Sequence, residues 1–331
     1  MLMIPLKAVS GYTRERMIAD INVTEKSFGD KQLYKELKFS VQDREKIGLI
    51  GRNGIGKSTL FGILAGLDKD FSGDITYRRG SVVIATRQEH HGFEETSVME
   101  YILGDLPEYS QLKKILDTYP DIMGDDMRKI ETYTNALTRF DDLGYYTIEN
   151  SIETELEKFQ IPKELFGGPL KNLSGGQKRL VEVVKIMHAN AHLALIDEPT
   201  NHMDFVAKEQ FVNWFKAAQE AIIVITHDRD VLHEVDKIVE IKDGRAFIFP
   251  GNYDAYLKQN ATNTVSGMHT FEVTQRQIVN LKAKLTEYRR LKERARDPGT
   301  IQRFKTLETK TRAELDQLSA IEKPSFWIDR N

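Results

Sequence analysis

The apolar positions of this chain recur as short continuous runs, separated by stretches with helical periodicity. Four runs have the composition of strands: "EKIGLIG" (45–51), "SVVIATRQ" (81–88), "HLALIDEP" (192–199) and "AIIVITHD" (221–228). The third and fourth are apolar along their centres, which is typical of parallel strands buried on both faces. Ahead of the third run, one helix face repeats at i, i+3, i+4 and i+7 spacing through Leu180, Val183, Val184 and Met187. This alternation predicts an α/β fold.

Two further segments complete the predicted first domain. The run "KIVEIKDGRAFIF" (237–249) is broken by Asp243-Gly244, which predicts a strand hairpin. Residues 97–165 lack strand signals and carry helical patterns instead. We therefore predict a helical subdomain over about 89–172.

The end of the chain has a different pattern, which predicts a pair of helices. Residues 253–267 are rich in Asn, Thr and Ser, so we predict that a first domain of residues 1–258 ends there. Beyond it, two apolar seams flank Pro298-Gly299: Ile278, Leu281, Leu285 and Tyr288, then Phe304, Leu307, Thr311, Leu315 and Leu318. These seams predict an antiparallel helical hairpin over 259–324. A first arm of about 27 residues would span roughly 40 Å.

Charge is distributed unevenly along the chain. The formal net charge of the 331 residues is −3, from 47 basic and 50 acidic residues, yet Lys282–Arg312 holds 11 Lys and Arg against 4 Asp and Glu. A basic rod on an acidic body indicates a polyanionic partner. The plainer alternative is a solvent-exposed coiled coil whose basic bias serves no partner.

Composition narrows the class of protein. The chain has no cysteine, so disulfides and thiolate metal sites are excluded, which fits the cytosol. Its first 17 residues lack the pattern of a signal peptide. No run approaches the roughly 18 apolar residues of a membrane-spanning helix. We therefore expect a soluble, cytoplasmic protein.

A glycine-rich loop carries the clearest chemical signal. The stretch "GRNGIGKST" (51–59) follows a predicted strand and precedes a helical pattern, so it is a Gly-x-x-x-x-Gly-Lys-Ser phosphate loop in the setting that such a loop requires. Its glycines allow backbone amides to turn toward phosphates, while Lys57 supplies a positive charge and Ser58 a hydroxyl for Mg²⁺. We predict ATP and Mg²⁺ as ligands, with nucleotide contacts from Gly51, Asn53, Gly54, Gly56, Lys57, Ser58 and Thr59.

Two later stretches add candidate chemistry. In "HLALIDEPTNHMD" (192–204), an apolar strand ends in two carboxylates, of which Asp197 would hold Mg²⁺ and Glu198 would polarise the attacking water. The alternative is that both carboxylates cap a following helix. In "NLSGGQKRL" (172–180), Ser174, Gly175 and Gly176 open a helix and offer amides to an anion, although an ordinary serine cap would have the same sequence.

Taken in order, the phosphate loop, "LSGGQ", "LIDEPT" and "ITHD" resemble the ATP-binding cassette proteins over about residues 18–257. The resemblance implies further roles: Phe28 stacks on adenine, Gln88 reaches Mg²⁺ and the attacking water, His227 contacts the γ-phosphate, and Asp204 lies in the loop between two sites. It also implies that ATP is held between the phosphate loop of one cassette and the "LSGGQ" segment of another. This chain has one of each, so we expect it to require a second cassette, in cis or in trans.

The tail narrows the resemblance further. "LIDEPTNHMD", then "GNYDAYLKQ", then a charged hairpin ending in "IEKPSFW", is similar to the ABC-F subfamily, in which a hairpin joins two cassettes. That resemblance implies a ribosomal partner and no integral membrane partner, with rRNA and peptidyl-site tRNA contacted through Lys282–Arg312, in translation or in antibiotic resistance. Residues 325–331 would then begin a second cassette that is absent. The alternatives are an ATPase subunit of a transporter and a scaffold that binds ATP but hydrolyses it poorly.

Overall fold

The computed structural model describes residues 16–29, 31–201, 203–294 and 297–319. The chain divides between Asp254 and Ala255 into two compact units. The strands of the first unit are β1 (Met17–Phe28), β2 (Lys31–Tyr34), β3 (Leu37–Gln42), β4 (Lys46–Gly51), β5 (Ser72–Tyr77), β6 (Val83–Ala85), β7 (Leu193–Asp197), β8 (Ala221–Ile225), β9 (Lys237–Lys242) and β10 (Arg245–Pro250). Its helices are α1 (Lys57–Leu64), α2 (Val98–Asp105), α3 (Tyr109–Ile122), α4 (Met127–Asp142), α5 (Ile148–Lys158), α6 (Gly175–His188), α7 (Phe205–Ala217) and α8 (Arg229–His233).

The larger sheet of the first unit is mostly parallel, with strand order β10-β9-β4-β8-β7-β6. Every pair from β9 to β6 is parallel, while β10 runs antiparallel to β9 as the predicted hairpin. Every residue of β4, β7 and β8 is buried, which explains their nearly uninterrupted apolar sequences. The predicted α/β class is confirmed. The run 81–88 contributes only three residues to β6, so residues 86–88 leave the sheet as a connecting segment.

A second, antiparallel sheet was absent from the sequence-based prediction. In it, β1 pairs with β2, β3 and β5. Along β1 the buried Ile21 and Val23 alternate with polar residues, as expected for a strand with one solvated face. Apolar residues of both sheets and of α1 form one buried cluster, so the core of the unit lies between them.

The segment with the predicted helical pattern holds α2, α3, α4 and α5. α2 begins at a capping box, in which the Ser97 side chain accepts from the Glu100 amide and the Glu100 carboxylate accepts from the Ser97 amide. Two 3₁₀ turns, Lys163–Leu165 and Leu170–Asn172, then lead to α6. Among the described residues, no helix combines the length and apolar content needed to cross a membrane.

The second unit contains most of α9 (Tyr253–Arg294) and all of α10 (Pro298–Ser319). α9 has 42 residues rather than about 27, because it runs without interruption through 253–267 and through the predicted boundary at 258 and 259. Asn, Thr and Ser are weak helix formers, but each costs only about 0.5 kcal/mol or less relative to better ones, so they do not stop a helix. The turn precedes Pro298, which takes the first position of α10, where its missing amide hydrogen is not needed.

Contacts near the turn hold α9 and α10 together. The rings of Tyr288 and Phe304 lie 6.4 Å apart, and Glu308 accepts from Arg289 at 2.9 Å and from Lys292 at 2.6 Å. Ile278 and Leu281 of the predicted seam are buried. The prediction that 325–331 begin a second cassette concerns residues outside those described. Arg296, one of the basic residues of the predicted hairpin, is also outside them.

Candidate nucleotide-binding site

A cavity of about 520 Å³ opens where β4 ends and α1 begins. Besides Leu33 and Ile225, it is lined by ten residues for which the sequence predicts contacts with ATP or Mg²⁺: Phe28, Asn53, Gly54, Gly56, Lys57, Ser58, Thr59, Gln88, Asp197 and Glu198. These residues come from four separate segments, and all but Phe28 lie at one edge of the larger sheet, at or beyond the carboxyl ends of its parallel strands. Ligand sites of open α/β sheets lie at this edge.

The backbone of the phosphate loop needs its glycines. Gly51 has φ 152° and Gly56 has φ 106°, values that a residue with a side chain rarely adopts. A Cβ at Gly51 would also lie 2.7 Å from the carbonyl oxygen of Ile241. Gly56 caps the N-terminus of α1, so the first amides of that helix are available to an anion.

Lys57 lies folded back into this loop. Its Nζ donates to the carbonyl of Gly51 at 2.7 Å and to that of Arg52 at 3.3 Å. Burial lowers the pKa of Lys57, and the neighbouring carboxylates of Glu198 and Asp197 oppose that shift. A bound phosphate would supply the full negative charge that these carbonyl dipoles replace in part.

Tyr34, which belongs to no recognisable motif, supports the phosphate loop from the buried core. It is fully buried, and its hydroxyl donates to the carbonyl of Gly56. A Cβ at Gly56 would lie 2.7 Å from the same hydroxyl oxygen. The glycine and the tyrosine therefore fix each other. No signal in the sequence points to this pair, because the residues are 22 positions apart and belong to different elements.

Three polar side chains meet beside the loop. Ser58 Oγ donates to Asp197 Oδ2 at 2.8 Å, Gln88 Nε2 lies 3.1 Å from Ser58 Oγ, and the Gln88 amide also contacts the Asp197 carboxylate. A hydroxyl, a carboxylate and an amide are the oxygen-bearing groups that Mg²⁺ prefers. Their mutual contacts keep the three side chains together, so their chemistry and proximity fit a magnesium site.

Glu198 lines the cavity, and His227 contacts Glu198 from outside the cavity lining. Glu198 has φ 46°, a strained value for a side-chain-bearing residue, and its amide donates to the Ile225 carbonyl at 2.8 Å. Its Oε1 lies 3.2 Å from His227 Nε2. Burial raises the pKa of Glu198 to about 7, and the adjacent Asp197 charge contributes. Burial, followed by the charge of Lys57, lowers the pKa of His227. A carboxyl group with this pKa is suited to accept a proton near neutral pH.

Six predicted site residues are not part of this cavity lining: Gly51, Ser174, Gly175, Gly176, Asp204 and His227. Ser174 caps α6, with its hydroxyl accepting from the Gln177 amide at 3.2 Å, and Asp204 caps α7 by accepting from the Ala207 amide at 2.8 Å. Ser174 and Gly175 are exposed, and a Cβ at Gly175 would meet no atom within 4 Å. The capping alternative therefore describes the local role of Ser174, and an exposed face remains open in front of Ser174 and Gly175.

Comparison with known proteins decides the family. The family model described as "ABC transporter" matches residues 34–201, just over half of the chain. The chain belongs to this family. ATP hydrolysis is the general activity of its cassettes. The cassette also shares its fold with a nucleotide-free ATP-binding cassette from an ABC transporter, at a TM-score of 0.52 and 20% identity, over 73% of this chain and 94% of the other.

Curated relatives of the cassette are ABC-F proteins, so the resemblance seen in the motifs is confirmed. The energy-dependent translational throttle protein EttA of Mycobacterium tuberculosis is 30% identical over 79% of this chain and 46% of its own. The probable ATP-binding protein YheS of Escherichia coli is 28% identical over 89% of this chain and 45% of its own. The ATP-binding protein Uup of Escherichia coli is 31% identical over 70% and 36%. The chain thus spans about half the length of the curated relatives that it matches, or less.

Proposed function

We propose that this chain is one cassette and the hairpin of an ABC-F-type ATPase that acts on the ribosome. The observation that carries the ATPase part is the convergence of Lys57, a magnesium-type ligand set and the Glu198–His227 pair on one cavity. The aromatic ring for adenine would be Phe28, which is 56% exposed at the rim. Lys26 Nζ lies over the Phe28 ring, 4.7 Å from the ring centroid. This cation–π contact favours the present orientation of the ring.

Hydrolysis would use each group in one step. The phosphate-loop amides and Lys57 hold the β- and γ-phosphates, while Ser58, Gln88 and Asp197 would hold Mg²⁺, which would supply charge neutralisation. Glu198 accepts a proton from water as the water oxygen bonds to the γ-phosphorus, and the bond from that phosphorus to the ADP oxygen breaks. His227, within hydrogen-bond distance of Glu198, orients that carboxylate and contacts the γ-phosphate.

A complete site would require a second cassette. Ser174, Gly175 and Gly176 are absent from the cavity lining, and the first two are exposed at the N-terminus of α6. They would complete the site of another cassette, while that cassette's equivalent segment completes this one. Asp204 would lie in the loop between the two sites.

Mixed variants test this arrangement. Lys57→Ala removes the phosphate charge but keeps the "LSGGQ" segment, whereas Ser174→Arg blocks that segment but keeps the phosphate loop. Each variant alone should be inactive, and a mixture should recover ATPase activity because one of the two sites is then intact. Activity per chain should also rise with protein concentration. A mixture as inactive as its components, with a wild-type rate per chain independent of concentration, would contradict assembly in trans.

The ribosomal part of the proposal is supported by the hairpin and by the relatives. Of the basic residues in Lys282–Arg312, Arg289 and Lys292 pair with Glu308, whereas eight others are exposed: Lys282, Lys284, Arg290, Arg294, Arg303, Lys305, Lys310 and Arg312. Such a surface gains affinity for RNA by releasing counterions. A relative is named a translational throttle protein. ATP would bring two cassettes together in the cytoplasm so that the hairpin contacts rRNA and peptidyl-site tRNA, and hydrolysis would release it.

Two sets of variants test the ribosomal part. In a two-cassette version, Glu198→Gln with ATP should co-sediment with ribosomes, and the variant that adds the triple change Arg290→Gln, Arg294→Gln, Arg303→Gln should bind them more weakly. Its binding should also lose about 3 units of slope against log salt, roughly one per phosphate contact. The matched control removes three exposed charges from the helical subdomain, at Lys113, Lys114 and Lys163. Free sedimentation at low salt, or co-purification with a membrane protein, would favour a transporter subunit.

The choice between a translation factor and a resistance protein requires a separate measurement. In cells, expression of the active protein should raise the inhibitory concentration of a ribosome-directed drug if it protects ribosomes. An effect on translation rate without any change in drug sensitivity would assign it to ordinary translation.

A further inference from the structure

A buried polar cluster lies behind Gln88, where α6, α2 and the segment after β6 meet. We name it the Glu182 cluster, comprising Glu182, Lys185, Arg87, His90, Tyr101 and Asp105. The side chains of Glu182 and Lys185 are completely buried. No member of the cluster lines the nucleotide cavity, so the chemistry described above does not use it.

The Glu182 carboxylate is saturated with donors. Oε2 accepts from the Arg87 backbone amide at 2.7 Å and from Lys185 Nζ at 2.7 Å. Oε1 bonds His90 Nε2 at 2.9 Å and accepts from the Tyr101 hydroxyl. Burial alone would raise the pKa of Glu182, but the charge of Lys185 and the accepted hydrogen bonds outweigh it and lower the pKa to about 2. The group is therefore an anion at any physiological pH.

The contact with the Arg87 amide is the informative one, because Gln88 follows directly. The preceding residue is fixed as well: the Thr86 amide donates to the Leu195 carbonyl at 2.9 Å, and Thr86 Oγ1 accepts from the Asp197 amide at 2.9 Å. Arg87 is held further through its side chain, which donates to Asp105 Oδ1 at 3.0 Å and to the Tyr101 hydroxyl at 2.9 Å. The two residues before Gln88 are thus both fixed: Thr86 is held by β7, and Arg87 is held by Glu182.

A buried ion pair is an expensive way to fill a core. Replacing such a pair by apolar residues of similar volume is often neutral or stabilising, so packing alone does not require Glu182 and Lys185. The backbone amide of Arg87 has no partner within a strand or helix, so it does require an oxygen acceptor at this position.

We propose that Glu182 is a positioning residue for Gln88: it holds the Arg87 amide so that the Gln88 side chain reaches Ser58 and Asp197. The inference rests on the proposed use of Mg·ATP, since Gln88 acts there as part of the magnesium site. It predicts that damage to Glu182 weakens Mg²⁺ binding at the site and leaves nucleotide binding without Mg²⁺ nearly unchanged.

The decisive variant removes both charges while keeping volume, Glu182→Leu with Lys185→Met. Binding of a fluorescent ATP analogue to the full chain is titrated with Mg²⁺ and compared with binding in EDTA. The Mg²⁺ half-saturation should rise about tenfold, the low end of the range for groups that orient metal ligands. Affinity in EDTA should change less than about twofold, which is below the effect of one ordinary hydrogen bond. Amide exchange in a peptide covering 83–93 should accelerate in the absence of any nucleotide.

The conservative variant Glu182→Gln gives a second measurement that does not depend on the apolar pair folding. Its amide oxygen can still accept from Arg87, but a neutral acceptor bonds about half as strongly, so the Mg²⁺ half-saturation should rise only about threefold. In a Gln88→Ala background, neither change should have any further effect on Mg²⁺ dependence, because the route through Gln88 is already lost.

Each outcome separates the two ideas. An unchanged Mg²⁺ half-saturation in folded Glu182 variants, or an equal effect with and without Gln88, would overturn the positioning role while leaving the ATPase proposal intact. A wild-type chain whose nucleotide binding ignores Mg²⁺ would overturn both.

Discussion

Glu198 gives a stability prediction that does not require the protein to be active. Its pKa is raised from 4.5 to about 7 by burial, with a contribution from Asp197. Each pKa unit corresponds to about 1.4 kcal/mol, so the ionised carboxylate costs the folded state about 3 kcal/mol at pH 8. Only 19% of the Glu198 side chain is exposed, so solvent screening reduces this value only modestly. Glu198→Gln removes the charge and keeps an oxygen for His227.

The sign of the pH dependence follows from proton uptake. Between about pH 4.5 and 7 the folded chain holds a proton on Glu198 that the unfolded chain has released, so this group lowers the free energy of unfolding as the pH rises through that window. The variant should therefore be more stable than the wild type at pH 8, with an advantage that shrinks below about 1 kcal/mol at pH 5.

Thermal unfolding without nucleotide or Mg²⁺ measures this effect. A gain of about 3 kcal/mol corresponds to a rise of about 6 °C in Tm for a unit of this size. The control is Glu209→Gln, on the exposed surface of α7, which should shift stability by no more than about 0.5 kcal/mol at either pH. If Glu198→Gln is no more stable at pH 8, or equally stabilised at pH 5 and pH 8, the carboxylate is not strained and the reasoning fails.

Three further variants probe the loop and the hairpin. Gly56→Ala forces a Cβ to within 2.7 Å of the Tyr34 hydroxyl at a φ of 106°, and should lower the unfolding free energy by about 1–3 kcal/mol and weaken ATP binding in a fluorescence titration. Tyr34→Phe should cost about 1 kcal/mol and loosen the loop, seen as faster amide exchange over 51–59; unchanged exchange there would show that the hydroxyl does not support the loop. Leu281 is buried, so Leu281→Ala should destabilise the hairpin by about 2 kcal/mol, measured by amide exchange over 278–319. The Val279 side chain is 64% exposed, so Val279→Ala should have little effect; equal effects of the two changes would contradict the different burial of these side chains.

The sequence specifies the phosphate loop well because its chemistry is local. The bends at Gly51 and Gly56, the charge of Lys57 and the start of α1 all lie within nine residues, so a short motif contains them all. Strands β4, β7 and β8 were equally predictable, because burial on both faces leaves a continuous apolar run.

What the sequence did not specify depends on residues far apart. Tyr34 and Gly56 are 22 positions apart, and Glu182 and Arg87 are 95 positions apart. A periodic pattern of apolar residues does not reveal such pairs. A weak signal existed for the second: Glu182 and Lys185 interrupt an otherwise apolar helix face at i, i+3 spacing. The continuity of α9 is hard to predict for another reason: a stretch rich in Asn, Thr and Ser is typical of a linker, but here it lowers helix propensity without ending the helix.

In the proposed pair of cassettes, helix α6 would contribute to both ATP sites. Ser174 caps its first turn, and Glu182 follows eight residues later, about 12 Å along the axis at 1.5 Å per residue. Helices move as rigid bodies at this length, so a displacement of Ser174 toward a neighbour's phosphate would shift the anchor of Gln88 by a similar amount. We expect the two sites of an assembled pair to sense each other's occupancy, which a Hill coefficient different from one for Mg·ATP would reveal and a strictly hyperbolic curve would exclude. Hydrolysis at one site of such a pair would then depend on the occupancy of the other, and helix α6 of each chain would transmit that dependence.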